Sequence, residues 1–74
     1  MVRVIAHSLG SDGSVMYRSA AGDFFLYPSL VGWRVEHEVP VNGAFVLAGQ
    51  CNFSERRGAL AAIERASLHG GSIR

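Results

Sequence analysis

The sequence predicts an α+β fold: an antiparallel meander of four to five short strands, with scope to curl into a small barrel, followed by one C-terminal helix. Three observations carry this. Turn-forming residues recur at short intervals as far as Gln50, which is the pattern of short strands joined by tight connections. Trp33 to Val39 alternates strictly, with Trp33, Val35, His37 and Val39 on one face and Arg34, Glu36 and Glu38 on the other, a period of two. Ser54 then opens an alanine-rich stretch of helical spacing that Gly70-Gly71 closes.

Taken in order, Val2 to Ser8 reads as the first strand and Gly10-Ser11-Asp12-Gly13 as a turn. Ser14 to Ser19 is a second strand, Gly22-Asp23 a turn, and Phe24 to Tyr27 a third strand that Pro28 stops. Trp33 to Val39 is the fourth. Asn42-Gly43 marks a two-residue hairpin, because both residues accept a positive φ. Ala44 to Gln50 follows, apolar on both faces.

The helix is expected over about residues 55–68, with Ser54 as N-cap. Ala59, Leu60, Ala62, Ile63 and Ala66 form one stripe, and small alanines allow it to lie close on the sheet. The 74 residues make one domain: sheet over about 2–50, helix, and a frayed tail at 70–74.

Composition narrows the function classes. The lone Cys51 precludes an intramolecular disulfide, and no Cys/His spacing suits zinc, so neither metal nor cofactor is expected. Net charge is +1, and all seven basic residues are arginine; this balance lacks the basic excess of a nucleic-acid binder. A GC-rich coding sequence yields an arginine-only complement without functional cause. Arg3 and His7 interrupt any signal-peptide core, and no apolar run reaches membrane-spanning length. A cytoplasmic protein is expected.

Catalysis finds little support. Cys51 and His37 are the one nucleophile–base pair worth weighing, but an unbroken Asn42-Gly43 hairpin sets Arg34, not His37, opposite Cys51. Cys51 reads better as a small buried hydrophobe, and His37 as a core or interface histidine bonded to backbone. Glu36 and Glu38 share what reads as a solvated charged face. No enzyme is expected.

The helix start is less ordinary. Arg56 and Arg57 occupy the first turn, where the dipole disfavours cations. With Ser54 they form a candidate anion or partner contact, against the alternative that Glu55, Glu36 or Glu38 neutralises them. Hydrophobic residues make up 49% of the chain and charged ones 18%, and one helix covers one face of a sheet only. Phe24, Phe25, Tyr27, Trp33 and Phe45 are therefore candidate interface residues.

The function expected is that of a small non-enzymatic interaction protein, a bacterial, phage or mobile-element accessory factor binding another protein or its own copy. The alternative is a nucleic-acid-binding module using Arg56 and Arg57 with Arg3, Arg18 or Arg34.

Overall fold

In the computed structural model, residues 5–8, 14–69 and 73 are described. The Gly10–Gly13 turn, residues 2–4 and the Gly70-Gly71 stop lie outside them. The elements are β1 (Ile5–Ser8), β2 (Val15–Ser19), β3 (Gly22–Ser29), β4 (Gly32–Val41), β5 (Ala44–Phe53) and α1 (Arg56–His69). From β2 to β5 the strands form a continuous antiparallel meander, and short β1 adds to β2 at one edge. The predicted α+β meander with a C-terminal helix is thus present.

The sheet does not close into a barrel. Its order is β1-β2-β3-β4-β5, so β1 and β5 are opposite edges. The edges are also mismatched: β1 is four residues long and β5 ten, whereas closure needs a continuous staggered ladder.

Two of the three hairpin turns among the described residues reverse by the same device. Ala20-Ala21 and Leu30-Val31 keep negative φ, and the following Gly22 and Gly32 take φ of 119° and 138°. The turn is therefore Ala20-Ala21 rather than Gly22-Asp23. Ser19 staples it, its hydroxyl accepting from the Ala21 amide and donating to the Gly22 carbonyl. β3 also runs on through Pro28, because the described β2 ladder ends at Leu26 and the missing N–H faces none of the described strands.

The third hairpin is the expected Asn42-Gly43 turn, with φ of 53° and 84°, the positive pair a type I′ turn requires. Beyond it β5 carries a bulge: His37 pairs with Gly49 but Glu38 with Leu47, leaving Ala48 as the extra residue. An unbroken hairpin would set Arg34 opposite Cys51; here Val35 pairs with Cys51 and Arg34 with Asn52. A one-residue shift exchanges the two faces of a strand. The bulge accordingly sends Cys51 and Phe53 towards the helix, and Gln50 and Asn52 to the charged face.

α1 lies across β3, β4 and β5 on one side. Phe24, Leu26, Val35, Ala59, Ala62, Ile63 and Ala66 are buried between them, with Trp33, Cys51 and Phe53 packed alongside. Each large side chain in this layer contributes on the order of 1.5–3 kcal/mol by leaving water. His37 is in this core, stacked on Phe24 with ring centroids 4.3 Å apart. Its Nε2 stands 2.7 Å from the Ala21 carbonyl oxygen; a carbonyl only accepts, so Nε2 carries the proton. Ile73 is 4% exposed and joins the same core, so at that position the tail is packed, where fraying was expected.

Candidate functional site

The face away from the helix is mixed, not uniformly apolar. Arg18 pairs with Asp23 at 3.3 Å, and Arg34 pairs with Glu36 at 3.1 Å and donates to Gln50. These partners share a face because strand register places Arg18 opposite Asp23 and Glu36 opposite Gln50. Phe25 and Tyr27 lie half-buried among them. The expectation that this side needs a separate cover is corrected for the sheet's centre: polar ladders flank the two aromatic rings there.

Tyr27 is coupled to this ladder. Burial, then its hydrogen bond and proximity to Glu36, raise its pKa above the usual 10.0, while the bond to Glu36 raises that of Arg34. A tyrosine that holds its proton longer when folded stabilises the fold fully below its ordinary pKa, and loses that contribution as pH rises through the higher folded value. Urea midpoints should therefore fall as pH climbs above 10.0, and Tyr27→Phe should flatten the decline. An equally steep decline in Tyr27→Phe would rule this coupling out.

At the helix start, α1 begins at Arg56 and the Ala59 amide bonds the Glu55 carbonyl at 3.3 Å. Glu55 thus holds the N-cap position, and Ser54 stands one residue outside it. Arg57 pairs with Glu55 at 2.8 Å, and Arg56 lies over the Trp33 ring, 5.7 Å from its centroid, a cation–π arrangement. Both arginines of the candidate anion contact have intramolecular partners. Cys51 faces Val35 across the ladder, on the same side of the sheet as His37, whose own ladder partner is Gly49. The bonds these two side chains make run to the backbone, His37 with Ala21 and Cys51 with Asn52.

The interface candidates separate. Phe24 is fully buried and is a core residue, which corrects its assignment to an interface. Trp33 packs against the core beneath Arg56. Phe45 is 54% exposed, and it belongs to a larger surface. Every residue from Pro40 to Ala48 is exposed, with Val41, Val46 and Leu47 joining Phe45. Here the β4–β5 hairpin projects as an arm. Register puts Phe45 and Leu47 on the face of Glu38, and Val46 on the face of Val39, so the arm is apolar on both sides. A second apolar point, Leu30-Val31, tips the β3–β4 hairpin at the other end of the sheet; Leu30 is wholly exposed.

The sequence marks Ala44 to Gln50 as apolar on both faces and names Phe45 as the interface candidate, without extending that candidacy to Val41, Val46 and Leu47. The signal that marks them is charge: Val39 to Ser54 contains no Asp, Glu, Lys, Arg or His. The run covers the whole of β5, whose outer side no strand of the described residues pairs. Exposed edge strands are ordinarily guarded by charges, prolines or brevity. β5 has none of these guards apart from its bulge.

Fold and surface together define a class: an open meander sheet backed by one helix, with an unguarded edge and an apolar arm. Compared with protein-family models, with curated proteins and with solved structures, the chain matches none. Among the described residues no helix is long and apolar enough to cross a membrane.

Proposed function

We propose that this chain is a non-enzymatic interaction protein, an accessory or regulatory factor of a bacterial, phage or mobile-element system, which engages protein through the β4–β5 arm. The observation that carries the reading is the arm itself: Phe45, Val46 and Leu47 exposed on both faces of an uncharged strand. Contiguous apolar surface of this kind marks contact sites. The nucleic-acid reading is weaker, since Arg18, Arg34, Arg56 and Arg57 all have intramolecular partners, and phosphate binding draws on unengaged cations.

The test compares the immobilised wild-type chain with Phe45→Asp/Leu47→Asp in a lysate of the source organism. Both side chains are more than half exposed, so the variant should keep the wild-type circular dichroism. Proteins retained by the wild type, copies of the chain included, should be lost on the variant. Retention of nothing, or of the same set by both, would overturn the reading.

A further inference from the structure

We propose that β5 pairs antiparallel with β5 of a second copy, about a two-fold axis between the two Val46 residues, to form one continuous sheet through both molecules. This rests on the arm being an interaction surface, and it names the occupant.

The argument starts from the hairpin. A two-residue type I′ turn leaves Val41 and Ala44 as a hydrogen-bonded pair, and paired residues alternate between bonded and non-bonded along an antiparallel ladder. Val46, opposite Val39, is then bonded to β4, whereas Phe45 and Leu47 fall at non-bonded positions. The N–H and C=O of Phe45 and Leu47 therefore point to the free edge. These are strong groups that seek partners, and a second β5 supplies an identical row.

Only some registers let two copies share faces, because residues directly opposite one another must lie on the same side of the sheet. Placing Val46 opposite Val46 sets Phe45 against Leu47 of the other copy, and Leu47 against its Phe45. Each of those pairs exchanges both of its backbone bonds, and Val46 with its copy becomes the non-bonded pair on the axis. On one side the four Phe45 and Leu47 side chains form a single apolar cluster. On the other the two Val46 side chains meet, with Val39 and Val41 behind them.

Charge selects a copy over an acidic or basic partner. A two-fold axis brings each side chain near its own kind, which penalises any charged edge. β5 has no charge to repel, and its neutrality offers nothing to attract a strongly charged segment. The resulting contact is isologous and closed, the commonest form of association.

Sedimentation equilibrium on the full chain, from micromolar to millimolar concentration, is the first measurement. The mass should rise from 7.9 kDa towards twice that value. Val46→Lys puts like charges on the axis at a side chain that is already exposed, and should weaken association by more than about tenfold with unchanged circular dichroism.

Register is tested by Val46→Cys in a Cys51→Ser background. Non-bonded antiparallel pairs have Cα atoms about 4.5 Å apart, within disulfide range, so mild oxidation should link the copies. Asn42→Cys in the same background, exposed but off the axis, should link more than about tenfold more slowly. A 7.9 kDa monomer at all concentrations would overturn self-pairing, even if the lysate comparison still showed arm-dependent capture of another protein. A dimer that crosslinks no faster at Val46 than at Asn42 would overturn the register.

Discussion

Replacing Phe24 by alanine should lower stability by about 3–5 kcal/mol. Phe24 is fully buried, with its ring stacked on His37 at an interplanar angle of 10° and Leu26, Val35 and the helix alanines around it. The substitution removes the largest fully buried side chain and leaves a cavity in the cluster that holds Leu26, Val35 and the helix alanines. Short alanines have no side-chain length with which to fill it. A domain of this length has on the order of 4–11 kcal/mol in all, so much of the population should be unfolded at physiological temperature. Loss of the cooperative urea transition, or a midpoint close to zero denaturant, is the expected result. Phe25→Ala, at the next residue but on the half-buried polar face, should cost clearly less. Equal costs would mean that the helix-facing layer is not the main core.

Gly32→Ala should rank second. Its φ of 138° is one that side chains rarely adopt, and a Cβ there would sit 2.3 Å from the Phe53 carbonyl oxygen and 3.0 Å from the Ser54 Cα. Both obstacles are backbone. The end of β5 and the approach to the helix must therefore shift together, beyond the ~1–3 kcal/mol of local strain. Gly43 provides the control: its φ is 84°, but nothing lies within 4 Å of the added Cβ. Gly43→Ala should cost only the strain of a left-handed residue, about 1–2 kcal/mol. Urea denaturation of the two variants decides the matter. A Gly32→Ala protein as stable as Gly43→Ala would mean that the β3–β4 turn and the strand–helix junction are not locked together.

These two positions show how far the sequence could be read. Phe24 was legible as a large apolar strand residue, but strand alternation alone did not say which face the helix would take. Phe24 and Phe25 both read as interface candidates, and the docking of α1 separated them into core and polar face. Gly32 was not identified as a turn residue, because the reversal rests on Leu30-Val31, whose composition does not resemble a turn. The local pattern failed there because the unusual backbone angle falls on the residue after the loop.

Local chemistry in the sequence determined the element types. The alternation from Trp33 to Val39, the Asn42-Gly43 turn and the alanine stripe of the helix each specify a structure through neighbours a few residues away. The bulge at Ala48, the burial of Ile73 and the open sheet were decided only by the tertiary structure. A bulge relocates Cys51 and Phe53 to the core and Gln50 and Asn52 to the charged face, and the gain from that exchange exists only once a helix and an arginine ladder occupy opposite sides. The exposure of the arm follows from the same cause. One helix of fourteen residues lies across β3, β4 and β5, and the β4–β5 hairpin beyond its reach stays exposed.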